Sequence, residues 1–223
     1  MEELSMSGIE AHYSAADIEA RILAAIRAVG LDPAQRLSPV ELAGLDHFHT
    51  GGFRASLALR DLAAIRAEDR VLDLGAGLAG PARMLAASPG CRVECVDLSP
   101  DYVVAASLLN RLTGLEDRIG VRVGSALDLP FADAAFDVVW MQNVGMSIAD
   151  KTALYAEIRR VLAPGGRFAF QEMVAGETST TYFPLPWATH RGHSSLMAAE
   201  AMVAALADAG FDCVHFADVS EAP

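Results

Sequence analysis

From residue 70 onward the chain alternates apolar runs of four to seven residues with helical stretches, and the first run opens into the glycine-rich stretch VLDLGAGLAG at 71 to 80. Runs that are apolar throughout, rather than at every second residue, are what parallel strands buried on both faces require. RVLDL, CRVECVD, IGVRVGS, FDVVWMQ and RFAFQEM read as five such strands. Helices are expected between them at about 80 to 88, 100 to 113 and 149 to 162. Ser99 before Pro100 and Gly114 bound the second of these, and APGG stops the third. After a long connection, LMAAEAMVAALADAGF leads into CVHFADV, a sixth strand. The expected fold is α/β: a doubly wound, Rossmann-like, mostly parallel sheet flanked by helices, with ligands at the carboxyl ends of its strands.

Residues 1–53 read differently. SAADIEARILAAIRAVG places Ile18, Ile22, Leu23, Ile26 and Val29 on one helix face behind Ser14, giving a helix over about 15 to 29. Ser38 and Glu41 around Pro39 mark a second, short helix before DHFHTGG, and RASLALRDLAAIRA is a third that runs up to the first strand. The chain therefore divides into a helical extension, 1–53, and a main domain, 54–223.

Composition narrows the function. Seventeen Lys plus Arg against 29 Asp plus Glu give a formal charge of -12, which repels phosphate backbones and anionic membrane surfaces. Nucleic acid and membrane partners are thereby disfavoured. The three cysteines form no CxxC pair, the first residues are acidic where a signal peptide is basic, and no 18-residue apolar run exists. These features point to a cytoplasmic protein. Cys91 and Cys95 fall on one strand face, where small apolar packing is the default.

Glycines at 75, 77 and 80 allow a tight strand-to-helix turn and close ligand approach, whatever the ligand. Asp73, two residues before Gly75, would repel a pyrophosphate but could accept from a cationic amino group. Asp97 closes the second strand and suits a pair of ribose hydroxyls, a role common to dinucleotide and adenosyl sites.

DLGAGLAG, VDLSP, SALDLPF, FDVVWMQN and RVLAPGGRF, in that order over about 70 to 174, resemble the class I S-adenosylmethionine-dependent methyltransferases. HYS at 12 to 14, FHTGGFRAS at 48 to 56 and PLPWA at 184 to 188 are similar to segments of the small-molecule members that act on sarcosine, dimethylglycine or phosphoethanolamine. The resemblance makes residues 1–53 a lid and 54–223 the methyltransferase domain. It implies cofactor contacts from Gly75, Ala76 and Gly77 to the methionine part, with Asp73 near its amino group. It puts the ribose on Asp97, with Leu98, Ala126 and Leu127 around the adenine. Gln142 and Asn143 would lie near the methionine moiety, and Tyr13, Thr50 and Gly51 would close the pocket. Ser125 stands where many members carry an acid. Ser147 stands in the place of the histidine that phosphoethanolamine enzymes pair with a tyrosine, which disfavours phosphobase chemistry.

The activity implied is methyl transfer from S-adenosylmethionine to a small-molecule acceptor at N, O or C, with amine or amino-acid N-methylation favoured. An activated sulfonium methyl demands alignment and water exclusion more than a catalytic constellation. The candidate catalytic residues are Tyr13 and His49, the latter favoured as a hydrogen-bonding lid residue over a base; Glu172, His190 and His193 are further groups in the variable segments. Four histidines at 47, 49, 190 and 193 could be drawn as a metal cluster, but no metal is expected. Alternatives are a fold relative that binds the cofactor without using its methyl, cyclase-like or noncatalytic, and a nicotinamide-dependent reductase. The fold normally ends in an antiparallel seventh strand, yet the chain stops at VSEAP. The resemblance therefore predicts an uncovered sheet edge, met by a shortened chain or by a homodimer.

Overall fold

A computed structural model describes residues 18–176 and 182–220. The expected Ser14 cap lies outside them. Five parallel strands, β1 (Arg70–Leu74), β2 (Arg92–Asp97), β3 (Ile119–Val123), β4 (Phe136–Gln142) and β5 (Leu162–Gln171), form one sheet in the order β3-β2-β1-β4-β5. The order reverses between β1 and β4, so a crevice opens at their carboxyl ends. Helices α1 (Ile18–Ala28), α2 (Pro39–Asp46) and α3 (Gly52–Leu62) precede the sheet; α4 (Gly80–Ala87), α5 (Pro100–Thr113), α6 (Lys151–Val161) and α7 (Ala199–Asp208) flank it.

The strands bury both faces, which is why they read as unbroken apolar runs. Val71, Val93, Cys95, Val138 and Trp140 pack with Ala82 and Ala86 of α4 on one face. Leu72, Leu74, Val96, Val139 and Met141 pack with Leu154, Ile158 and Val161 of α6 and Met202 of α7 on the other. Cys91 and Cys95 are both buried in the first cluster. A third cluster seats Ile22 and Ile26 of α1 and Leu42 of α2 on Ala105 and Leu109 of α5, so the N-terminal helices are built onto the sheet domain.

Local signals position these elements. Ser38 and Glu41 make a reciprocal capping box at α2, and Pro39 takes the first helical position, where no amide donor is needed. Ser99 caps α5 ahead of Pro100, and Gly114 ends it in the left-handed region. Helix α6 starts at Lys151, not 149, because the Asp150 carboxylate accepts from the Ala153 amide.

Two expectations are corrected. β5 begins at Leu162 and contains APGG, whose extra residues are absorbed by a register shift between the Phe136–Leu162 and Val138–Arg167 pairs. CVHFADV is not a strand: residues 211–219 carry no helix or strand, and Val214 is 94 % and Phe216 60 % exposed. Propensity alone does not make a strand. The segment pairs with no strand, and among the described residues β5 forms one edge of the sheet, with β3 at the other.

Candidate active site

The glycine turn is fixed by its neighbours before any ligand is considered. The Gly75 and Ala76 amides both donate to the Val96 carbonyl of β2, at 2.8 and 3.2 Å, tying the end of β1 to the end of β2. The Gly77 amide donates to Asp97 Oδ2 at 2.8 Å, and the Ser99 amide donates to Asp97 Oδ1 at 2.9 Å. A β-carbon on Gly77 would meet nothing within 4 Å, so this glycine faces open space. Asp97 thus stands at the mouth of the crevice with spare lone pairs on both oxygens. Burial raises its pKa while the amides of Ser99, Gly77 and Leu98 oppose that shift. Gly124, which begins the 124–128 turn, donates to the Asp97 carbonyl, and Ser125 Oγ accepts from the Leu127 amide. Ala126 is partly buried and Leu127 partly exposed beside that mouth.

Asp73 sits in β1 between Cys95 of β2 and Trp140 of β4, 3 % exposed, and its Oδ2 has no hydrogen-bond partner. Burial pushes its pKa up to about 8, the Asp97 charge adds to this, and the Arg83 guanidinium opposes it. A buried carboxyl with an unmet oxygen calls for a donor.

The segment around 49–56 is held on the ends of β4 and β5. Gln142 Oε1 accepts from Ser56 Oγ at 2.9 Å and Trp140 Nε1 at 3.1 Å, and Gln142 Nε2 donates to Gln171 Oε1 at 2.9 Å. Gln171 Nε2 donates to the Thr50 carbonyl, and Asn143 Nδ2 donates to Thr50 Oγ1 at 3.2 Å. Asn143 has φ +54°, and its Oδ1 is buried without a partner. Gly51 caps α3 with φ +76°. His49 places Nε2 3.0 Å from Ser56 Oγ and Nδ1 3.2 Å from the Thr50 carbonyl. Burial lowers its pKa to about 4, so the ring is neutral near pH 7.

Thr50, Gly51, Gln142 and Asn143 are therefore brought together on one side of the crevice, and Gly75, Ala76, Gly77, Asp97, Leu98, Ala126 and Leu127 on the other. The bridge between the sides is Val144, which packs on Gly75. Gln142 uses its amide on Ser56, Trp140 and Gln171. Tyr13 lies outside the described residues. His190 and His193 form a ring pair of their own, centroids 3.7 Å apart, and Trp187 Nε1 donates to Ser194 Oγ. Among the described residues no group of three or more His, Cys, Asp or Glu is placed to hold a metal.

Two arrangements in the site go beyond the expectations drawn from the sequence pattern. Glu172 neither faces solvent nor offers a free carboxylate: it accepts from the Val144, Gly145 and Met146 amides at 2.9, 2.7 and 3.0 Å. Lys151 Nζ donates to the carbonyls of Gly145, Ile148 and Ser195, which docks the 194–198 segment against the same loop. The other arrangement is the buried ion pair of Arg83 with Asp46. Its signal was available: Arg83 is the one charge in the otherwise apolar helix GPARMLAA, and a buried guanidinium needs a partner.

Residues 72–170 match the family described as "Methyltransferase domain". The chain is 42 % identical over 115 residues to a glycine/sarcosine/dimethylglycine N-methyltransferase of Actinopolyspora halophila, covering 52 % of this chain and 20 % of that one. It is 30 % identical over 185 residues to the methyltransferase GfsG of Streptomyces halstedii, covering 80 % and 66 %. Among solved structures it is similar to the (4+2)-cyclase SpnF, with TM-score 0.68 and 27 % identity over 75 % of this chain and 60 % of that one. The chain thus spans from a fifth to two thirds of the length of these relatives. A five-stranded parallel sheet of order 3-2-1-4-5, a glycine turn bonded to the acid that ends β2, and these matches place the chain in the class I S-adenosylmethionine-dependent methyltransferase family.

Proposed function

We propose that the protein transfers a methyl group from S-adenosylmethionine to a small metabolite by in-line displacement, with an amine or amino-acid nitrogen as acceptor. The observation that carries the cofactor side is the Gly77–Asp97 bond, which holds an acceptor-rich carboxylate beside an open backbone turn. The unmet Asp73 oxygen fits the same ligand, since it calls for a donor such as the cofactor's ammonium group. The nitrogen acceptor rests on the relative named for glycine, sarcosine and dimethylglycine.

The cofactor supplies an activated methyl on a sulfonium. Asp97 would accept from the ribose hydroxyls, Leu98, Ala126 and Leu127 would bound the base, and the turn from Gly75 to Gly77, its amides committed to Val96 and Asp97, would let the ligand approach the backbone closely. Thr50 and Gly51, anchored by Gln171 and Asn143, would close the pocket against water. Asn143, whose Oδ1 is buried without a partner, would lie near the methionine moiety. Tyr13 is assigned to closure from the N-terminal arm. His49, neutral, donates from Nε2–H to Ser56 Oγ and leaves Nδ1 to accept from Gln142 Nε2 at 3.4 Å, and so holds the segment down rather than taking a proton.

Calorimetric titration with S-adenosylmethionine, S-adenosylhomocysteine and NAD tests the cofactor assignment. Binding of the adenosyl compounds alone supports it, and binding of NAD alone reverses it. Formation of S-adenosylhomocysteine with an amine panel tests the reaction. A second reading, binding without use of the methyl, is favoured by the likeness to the cyclase; cofactor bound tightly with no S-adenosylhomocysteine formed from any acceptor would support it. We further assign the protein to the cytoplasm and to a homodimer that covers β5, for which a stable monomer in solution is the contrary result. No helix among the described residues is long and apolar enough to cross a membrane.

A further inference from the structure

Arg83 is fully buried on α4, one turn into the helix that the glycine turn opens. Its Nη2 donates to Asp46 Oδ2 at 2.7 Å and to the Leu78 carbonyl, and its Nη1 donates to Asn110 Oδ1 at 2.9 Å. These partners come from three places. Leu78 belongs to the glycine turn, Asn110 to the helix capped two residues after Asp97, and Asp46 to the last turn of α2, immediately before the 47–51 segment. Asp46 passes the restraint on, because its Oδ1 lies 2.7 Å from His47 Nδ1. His47 in turn packs edge-on against Phe53 and His49, at 5.1 and 5.6 Å between centroids.

Gly80 is the other half of the arrangement. A β-carbon there would overlap the Asp46 carbonyl and lie 2.7 Å from His47 Nδ1. The third glycine of the motif is thus required by the close approach of α2, not by a ligand. Ala79, just before it, is held at φ +58°, a conformation that is uncommon for a residue with a β-carbon and that needs its neighbours to be fixed. The bond from Arg83 to the Leu78 carbonyl supplies that restraint at the adjacent peptide.

We propose that Arg83 is a positioning residue for cofactor binding: one guanidinium sets the glycine turn, the start of the 47–51 segment and the helix beside Asp97 in a single geometry. The inference rests on the cofactor assignment above. A pair that served stability alone would, when broken, lower the folded fraction and the melting temperature but leave the affinity of each folded molecule unchanged. A positioning pair changes that affinity.

The test is calorimetric titration of S-adenosylhomocysteine into the unaltered chain and into Asp46→Asn, Arg83→Lys and Asn110→Ala, well below each melting temperature. Asp46→Asn keeps size and one acceptor while removing the charge, and Arg83→Lys cannot reach all three partners with one ammonium. The expected result is a Kd raised at least tenfold in the first two and about threefold in Asn110→Ala, with one site per chain retained. Kd values within twofold of the unaltered chain, with only a lower melting temperature, overturn the proposal. Where the two ion-pair variants do not fold, Asn110→Ala decides alone, since Arg83 keeps Asp46 and Leu78 in it: a threefold loss supports the proposal and no change rejects it. Failure of the cofactor assignment itself is recognised separately, as absence of binding by the unaltered chain, and takes the proposal with it.

Discussion

Val144 stands so close over Gly75 that a β-carbon on the glycine would overlap both Val144 methyl groups, with Cγ1 only 2.7 Å away. The end of β4 and the end of β1 are therefore packed through a residue that has no side chain. Gly75 is also at φ +64°, where a β-carbon is itself disfavoured. Gly75→Ala is expected to destabilise the protein by about 2 to 4 kcal/mol, from overpacking and backbone strain together. Denaturant unfolding of Gly75→Ala, Val144→Ala and the double variant measures the coupling. Recovery of part of the loss in the double variant is the expected sign, and strict additivity would mean that the contact is not the cause.

Asp97→Asn keeps the shape of the residue and removes its charge. The amides of Gly77 and Ser99 still have an oxygen to donate to, but one of the two now faces an NH2 group. With charge-assisted bonds to the ribose lost as well, affinity for S-adenosylhomocysteine should fall roughly 10- to 100-fold. An unchanged Kd removes Asp97 from the ribose role.

Glu172→Gln addresses the loop that carries Val144. Glu172 Oε1 accepts from two amides and Oε2 from a third, so any orientation of the glutamine amide sets at least one donor against a donor. Loss of about 1 to 3 kcal/mol of stability is expected. Hydrogen exchange should quicken at residues 144–146 before it quickens in β4, and uniform exchange along both would contradict a local tie.

Asp73 gives a dependence on pH. Its pKa is raised by burial to about 8 in the folded chain, above its ordinary 3.8, so the folded state holds a proton that the unfolded state releases. Its contribution is complete below pH 3.8 and is lost as pH rises toward 8. Asp73→Asn, which cannot ionise, should be less sensitive to pH across this window and more stable than the unaltered chain at about pH 8 in the absence of cofactor. Melting curves of both proteins at intervals from about pH 5 to about pH 8.5 provide the check. Parallel curves would mean that Asp73 does not titrate there.

The sheet was legible because burial on both faces leaves a direct mark: RVLDL and FDVVWMQ are apolar for the same reason that they are central. Caps at Ser38 and Ser99 were legible because a cap acts over three residues. Arg83 and Asp46 are 37 residues apart, and Glu172 reaches back 26 to 28 residues to its amides. Such bonds have no period, so the chain announces that a charge needs a partner without saying which. CVHFADV shows the converse limit. Its composition suits a strand, but a strand also needs a neighbour, and composition does not supply one.

His49 separates a residue that holds the pocket from one that performs chemistry. Its Nε2 is 3.0 Å from Ser56 Oγ, and Ser56 Oγ donates to Gln142 Oε1, which leaves Ser56 to accept from the imidazole N–H. The ring is thus one link in a chain from the 49–56 segment to Trp140. With a pKa lowered by burial to about 4, a His49 acting as base would be fully available above about pH 5 and would place an acid limb near pH 4 in the rate profile. His49→Gln retains a hydrogen-bonding end and removes that titration. For a holding role, KM for the cofactor should rise severalfold while kcat at saturation falls little and the pH profile keeps its shape. A collapse of kcat by about 100-fold or more with KM unchanged, the range general base catalysis supplies, would instead assign the proton to His49.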